Sequence, residues 1–472
     1  MNAKKIVEFS LGPIGGAALG IITLPIIAWN YSTEDVGRIA MLQVVSSFCI
    51  LLFSLGLDQA YVREYHETHN KSNLLKLTLF PGLLLLSLTL AFCFLTPISM
   101  SSVLFSIDSK SISVLVGLCI STAFFSRFLS LILRMQERGL AFSMSQILPK
   151  LLFVAIIGAY AIFSFGLDFF HLILAHTLSS VAVAFVCAWN TRSEWLSAYN
   201  QDIDKQKLKS LLEFGSPLIL GGLAFWGLTT MDKIFLRNLS SFDELAIYSV
   251  TSSFAAVAVI FQSVFSTVWA PTVYKWAAEG INLKKIDTIT EYMLAAVVVA
   301  FTLTGLLSWL IEYFLPEKYS YVQYILPACM AYPLFYTLSE TTVVGLGVTR
   351  KSSHSMLASI ISVFFNVIGN YLFVPSLGAS GAAISTAISF WIFLILRTEL
   401  SCRAWRPLPR LKLYSCTLAC LLMAIFFSLK GQEYTPIFLA LWLLSLLIST
   451  MIFKNAFKAL ISALTKLVKH RN

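Results

Sequence analysis

Charge is what this sequence has least of. Asp, Glu, Lys and Arg make up 12% of its 472 residues, about half the share usual in a soluble chain, so most of the molecule cannot face water. Eight cysteines (Cys49, Cys93, Cys119, Cys187, Cys329, Cys402, Cys416 and Cys420) are scattered, nearly all in apolar segments, with no CxxC spacing. That pattern speaks against a disulfide framework and a zinc site and predicts reduced, structural thiols. The basic start MNAKKIVEF is followed by an apolar stretch to Trp29 with no A-x-A cleavage site. This is too long for the core of a signal peptide and reads as a retained first helix. No outward connector exceeds about 15 to 20 residues, which leaves no room for a folded external domain. The net charge of +10 sits in short connectors and not along one soluble face. It therefore suits anionic lipid headgroups and an anionic substrate better than nucleic acid.

What the chain has in abundance is apolar surface: 57% hydrophobic residues and a mean hydropathy of +0.79. Spanning helices need about 20 mostly apolar residues, and fourteen runs qualify. The first six are Val7–Trp29, Val36–Leu57, Leu75–Leu95, Ile112–Leu133, Ile147–Phe165 and Phe170–Trp189. The polar stretch Asn190–Glu213 separates them from Phe214–Phe235, Leu245–Trp269, Tyr292–Phe314, Tyr324–Gly345, Met356–Val374 and Ala382–Leu396. Leu413–Leu429 and Ile437–Phe453 follow. The seventh run echoes the first: Phe9, Pro13, Gly15 and Gly16 reappear as Phe214, Pro217, Gly221 and Gly222, roughly 205 residues later, the mark of a transporter built from two internal repeats. The sequence thus predicts an all-α polytopic membrane protein with about 14 transmembrane helices. Two pseudo-symmetric six-helix lobes (residues 1–200 and 201–400) are followed by residues 401–472, holding two more helices and a basic amphipathic C-terminal helix. Of the 34 lysines and arginines, only Arg38, Lys110, Lys233, Arg237, Lys318 and Lys430 fall on the sparse side, with Arg127 well inside the fourth run. The positive-inside bias therefore puts both termini in the cytoplasm.

Two sets of motifs, one in each half of the chain, carry a resemblance. The turn Ser32–Arg38 (STEDVGR) and the stretch Ser54–Glu67 (SLGLDQAYVREYHE) are echoed by Met231–Arg237 (MDKIFLR), Asp243–Tyr248 (DELAIY) and Thr267–Tyr274 (TVWAPTVY). Ala246 stands where the first copy has Gly37. This pattern resembles the Wzx-type O-antigen and oligosaccharide flippases of the multidrug/oligosaccharidyl-lipid/polysaccharide exporter superfamily. The resemblance implies a flippase that moves undecaprenyl-pyrophosphate-linked oligosaccharide, an O-antigen or related surface-polysaccharide repeat unit, from the cytoplasmic to the periplasmic leaflet of a bacterial inner membrane. It further implies membrane lipids, a polysaccharide polymerase and a chain-length regulator as neighbours. No nucleic acid, enzyme activity, metal or cofactor is expected; a proton or sodium gradient is the expected driving force.

Charges inside apolar runs cost roughly 2.5–3.5 kcal/mol each at mid-bilayer, so their positions single out candidate site residues. Arg127 and Arg134, seven residues apart, project from one helix face. Arginine keeps its charge and forks onto phosphate oxygens, so both are candidates for pyrophosphate binding in a polar cavity; alternatively Arg134 marks the helix end. Arg63 and Asp58 lie where the second run reaches the cytoplasm, as headgroup guides or a local ion-pair cluster. Asp232, Lys233 and Arg237 form either an outer gate or an interfacial anchor. Glu340, with Tyr336 one turn before it, is a candidate proton or sodium carrier or a structural hydrogen-bonding group. His176 is a relay candidate or a packing residue. Gly12, Gly16 and Gly20 predict close helix packing. Rival readings are a multidrug or cation antiporter of the same superfamily, a membrane glycan polymerase or ligase, and a scaffold without transport.

Overall fold

The computed structural model describes residues 3–97, 99–163, 165–279 and 284–458. Among these residues the regular structure is entirely helical, and the chain is an all-α, multi-pass membrane protein. The expected amphipathic C-terminal helix falls mostly on residues 459–472, outside the described residues.

Contacts divide the chain into two units, Met1–Arg237 with Ser241–Ala246, and Asn238–Ser240 with Ile247–Asn472. The first contains α1 (Ala3–Asn30), α2 (Thr33–Ser54), α3 (Leu57–Glu64), α4 (Lys71–Leu95), α5 (Met100–Phe105), α6 (Lys110–Met135), α7 (Gly139–Ile162), α8 (Phe169–Asn190), α9 (Arg192–Tyr199) and nearly all of α10 (Lys205–Leu239). Their starts are written in the sequence. Ser32, Asn70, Ser99, Ser109 and Asp168 each accept a hydrogen bond from a first-turn amide, satisfying donors that a new helix leaves open. The glycine stripe of α1 packs on α7 as its spacing predicts: the Gly12 amide donates to Ser143 Oγ at 2.9 Å, and Lys150 Nζ donates to the Gly16 carbonyl at 2.5 Å. At the start of α1, Lys5 donates to Glu137 in the α6–α7 connector, and that bond holds the carboxyl below the usual glutamate range.

Helix α10 begins the second sequence repeat yet packs within the first unit. At the α2–α3 junction Leu55 and Gly56 both adopt left-handed backbone (φ 52° and 68°). A Cβ on Gly56 would stand 2.2 Å from the Gly215 carbonyl oxygen of α10, so the chain there tolerates no side chain. Further along α10, Trp226 Nε1 donates to Ser47 Oγ of α2 at 3.0 Å.

The second unit holds the remainder of α11 (Phe242–Ala278), then α12 (Lys284–Leu307), α13 (Val322–Cys329), α14 (Ala331–Val348), α15 (Ser352–Ala404), α16 (Leu411–Lys430) and α17 (Thr435–Ile452). The N-terminus of α11 repeats that of α2: Ser241 Oγ accepts from the Glu244 amide at 3.2 Å, as Ser32 Oγ does from Asp35 at 3.1 Å. Helix α15 is the buried centre of this unit, with 72% of its apolar window inside the protein against 11% for the peripheral α17.

Twelve of the described helices are long and apolar enough to cross a membrane. Two features reconcile that number with fourteen apolar runs. Helix α15 is two helices joined at Gly378 (φ 52°, ψ −127°), so Met356–Val374 and Ala382–Leu396 lie on opposite sides of a kink only glycine accepts readily. The run Tyr324–Gly345 is split between α13 and α14, where Pro327 lies just before the break and Pro333 just after it and each removes a ladder donor.

Candidate functional site

Each unit contains a buried carboxylate held by an arginine from another helix or helix segment. In the first, the left-handed turn at Leu55–Gly56 swings α3 away from the axis of α2 and places Asp58 in its first turn, facing α6. Arg127 of α6 donates to Asp58 Oδ2 through Nε (3.0 Å) and Nη2 (2.5 Å), and Gln59 Nε2 reaches the same oxygen at 3.1 Å. The Asp58 side chain is 9% exposed and that of Arg127 37%. Arg127 is thus anchored by its carboxylate partner with about a third of its surface still open. Arg63, on the following turn of α3, is exposed and lies 4.3 Å over the ring of Phe214, a cation–π contact. The motif stretch Ser54–Glu67 therefore touches α10, where the seventh apolar run opens, through Gly56–Gly215 and Arg63–Phe214.

The other basic candidates have different places. Arg134, in the last turn of α6, is exposed and does not share the Asp58 bond of Arg127. Arg237 donates to the carbonyls of Val103 (3.0 Å) and Leu104 (3.4 Å) and to Ser106 Oγ (3.1 Å). Together with Arg38, which donates to the Phe105 carbonyl at 3.2 Å, it satisfies the open end of α5. Both guanidinium groups lie over Phe242, at 5.4 and 5.5 Å. Asp232 is fully buried and Lys233 half-buried in the same helix. His176 of α8 meets Phe153 of α7 edge-on at 5.3 Å, the geometry of a packing residue.

In the second unit, Tyr332, Tyr336 and Glu340 lie one turn apart on α14 and meet Phe390, Phe393 and Arg397 of α15. Tyr332 packs 4.7 Å from Phe390, Tyr336 stacks on Phe393 at 5.9 Å, and Arg397 Nη1 donates to Glu340 Oε1 at 2.8 Å and Ser339 Oγ at 2.7 Å. The guanidinium also lies over both Tyr336 (5.3 Å) and Phe393 (4.9 Å). Both side chains of this pair are nearly buried, 9% exposed for Arg397 and 13% for Glu340. They border a polar cavity of about 370 Å³ with Tyr274, Arg350 and Ser355. A larger groove of about 780 Å³ in the first unit is lined by apolar residues of α4, α6, α8 and α9, such as Leu79, Phe125 and Phe185, and none of the candidate charges borders it.

Sequence reasoning missed Arg397, Arg350 and Lys150. Arg397 directly follows an apolar run and was expected in a cytoplasmic connector; instead α15 continues to Ala404. A signal existed in the row Ser385, Ser389, Arg397 and Ser401, spaced in multiples of four, all buried, which carries one polar face past the end of the run. A second polar seam joins the two halves of α15: Ser385 Oγ donates to the Asn366 carbonyl at 2.9 Å, and Asn366 Nδ2 donates to Thr386 Oγ1 at 3.3 Å.

Comparison with known proteins agrees with this architecture. The profile of the family described as "Polysaccharide biosynthesis protein" matches residues 3–277. The chain is 23% identical over 283 residues to the probable low-salt glycan biosynthesis flippase Agl15 of Haloferax volcanii, covering 58% of each protein. It is 24% identical over 207 residues to the multidrug resistance protein NorM of Vibrio vulnificus, covering 41% of this chain and 44% of that one, so it spans less than half the length of that relative. In fold it is similar to the lipid II flippase MurJ in an inward closed conformation, with a TM-score of 0.69 at 14% identity over 96% of this chain and 100% of the other.

Proposed function

The chain belongs to the polysaccharide biosynthesis protein family, and from that premise we propose that it is a flippase for polyprenyl-diphosphate-linked oligosaccharide. It carries the headgroup from the cytoplasmic to the periplasmic leaflet by alternating access, in the inner membrane of a bacterium, with both termini cytoplasmic. One observation carries the reading. The candidate carboxylates whose partners are known, Asp58 and Glu340, are each neutralised by an arginine of the chain. A pathway for cationic drugs requires carboxylates open to the substrate. One for a diphosphate requires guanidinium groups with donors to spare, and Arg127 keeps 37% of its side chain exposed beyond the Asp58 bond. The relatives divide between glycan flippases and multidrug transporters, and this charge balance favours the former.

In this scheme Arg127 meets the diphosphate from its Asp58 anchor, Arg63 and Arg134 draw it from the cytoplasmic face, and Arg237 fixes the opposite end of α10 to α5. Glu340 with Arg397 is the candidate for coupling to a proton or sodium gradient. No bond of the substrate is made or broken. The test is reconstitution in vesicles with lipid-linked oligosaccharide, measuring glycan accessible on each side with and without a proton or sodium gradient. Gradient-sensitive appearance of glycan on the far side is expected. Efflux of cationic dyes with no movement of glycan would replace this reading with drug transport.

A further inference from the structure

The cavity beside Glu340 is built for an anion, and the ion pair at its wall shows which kind. Its lining carries two guanidinium groups, Arg350 and Arg397, against one carboxylate, Glu340, with the hydroxyl-bearing residues Tyr274 and Ser355 completing the wall. A cavity of about 370 Å³ is at the small end of ligand pockets, which run from about 300 to 1,000 Å³; it fits a headgroup fragment and not a whole oligosaccharide. Arg397 is 7% exposed as a residue. Its Nη1 is committed to Glu340 and Ser339, while its Nε, equally buried, has no hydrogen-bond partner. A buried guanidinium N–H without an acceptor is costly, so the groups that hold Arg397 in place leave its donors incompletely used. Arg350, two residues past the end of α14, has its backbone in the left-handed region (φ 58°) and contributes an exposed side chain to the same cavity. The Tyr274 hydroxyl rests against Gly347, where a side chain would collide with it at 2.0 Å, and this keeps the tyrosine beside the opening.

The geometry points to a phosphate-binding site between Arg350 and Arg397, in which Glu340 is the built-in competitor. The ligand is a phosphate or diphosphate group, whose double negative charge and several oxygens accept from two guanidinium forks at once. A monovalent carboxylate ligand would only duplicate what Glu340 already provides. With Glu340 paired, the lining is one charge positive; with Glu340 neutralised, it is two charges positive and Arg397 is released to the ligand. The site deepens the flippase reading and rests on it for the claim that the phosphate belongs to a lipid headgroup.

The test is isothermal titration of the purified full chain in detergent with inorganic pyrophosphate, farnesyl diphosphate and phosphate-free farnesol. Farnesyl diphosphate is expected to bind and farnesol not. Arg350→Gln is expected to weaken binding by about tenfold, the scale of one charge-assisted hydrogen bond, and Glu340→Gln to tighten it by a similar factor. Because Arg397→Gln alone strands Glu340, the neutral pair Glu340→Gln/Arg397→Gln serves as the second variant, expected to bind more weakly than Glu340→Gln. Binding of both diphosphates, or of farnesyl diphosphate alone, assigns the site to a lipid headgroup; binding of pyrophosphate alone assigns it to a free phosphate. Absence of binding by either, equal affinity in wild type and Arg350→Gln, no tightening in Glu340→Gln, or comparable binding of farnesol overturns the site. The same proteins in the vesicle assay separate the two claims: wild type that binds diphosphate without moving glycan defeats the flippase reading alone, and wild type that moves glycan without binding at Arg350 defeats this site alone.

Discussion

Replacing Arg127 by alanine tests whether this residue serves the fold, the substrate or both. In the native protein its guanidinium bonds Asp58 at 2.5 and 3.0 Å, with the carboxylate 9% and the arginine 37% exposed. Two unit charges about 4 Å apart in an effective dielectric of about 20 attract by about 4 kcal/mol. The open third of Arg127 screens part of this, so a coupling of about 2 kcal/mol is expected from a double-mutant cycle. Arg127→Ala leaves Asp58 buried without its counter-charge, at a cost of about 3 kcal/mol, the low end for a broken buried pair. With an unfolding entropy of about 2.1 cal/mol/K per residue, a chain of this length loses about 3 °C in Tm from that change. Asp58→Asn/Arg127→Ala removes both charges and is expected to recover roughly half of the loss. Thermal unfolding in detergent reads these shifts, and the vesicle assay reads transport. If Arg127 meets the diphosphate, the double variant is stable and still inactive. Recovery of both stability and glycan movement in the double variant would refute a substrate role, and additive single effects would refute the coupling itself.

Gly56→Ala is expected to lower the yield of folded protein in membranes and its Tm by more than 3 °C, because left-handed backbone costs about 1–2 kcal/mol for a residue with Cβ before the collision with the Gly215 carbonyl is counted; fluorescence-detected size exclusion measures both. Arg237→Ala opens the end of α5 and is expected to cost about 1.5–3 kcal/mol of stability, as for hydrogen bonds from a charged group, while Arg237→Lys restores only part of it; transport per folded molecule distinguishes this clamp from a gate. His176→Phe keeps the edge-on packing against Phe153 and is expected to cost under about 1.5 kcal/mol and to leave transport and its gradient dependence unchanged, where a relay would lose the latter. The Lys5–Glu137 bond holds the Glu137 carboxyl low, so its contribution is present above the ordinary glutamate range and is lost as pH falls through the depressed value; Tm measured down to about pH 3 is expected to fall less steeply in Glu137→Gln than in wild type.

Much of the helical framework was legible because membrane helices obey one strong local rule: backbone groups without water must bond within the segment. Fourteen apolar runs and the glycine stripe of α1 each follow from neighbours within a few positions. The break at Gly378 was also foreseeable as a gap between runs, although the chain stays helical on both sides of it. The candidate sites were legible in part. Asp58, Arg127 and Glu340 stand out as charges in apolar surroundings, and in the structure each has an ion-pair partner on another helix or helix segment.

The partners were not legible. Sequence distance conceals that Asp58 faces Arg127 and that Glu340 faces Arg397, because a pair of charges is set by helix packing and not by spacing along the chain. Arg397 was hidden further by its position just after an apolar run, where a helix end and a continuing helix look alike. The grouping of α10 with the helices before it likewise depends on contact, in particular on backbone meeting backbone at Gly56 and Gly215. Composition and periodicity by themselves determined that this protein is helical and crosses the membrane many times, since those properties are sums over local preferences. Which carboxylate answers which arginine, and hence which guanidinium retains donors for an anion, was decided only when tertiary packing brought distant helices within hydrogen-bonding distance.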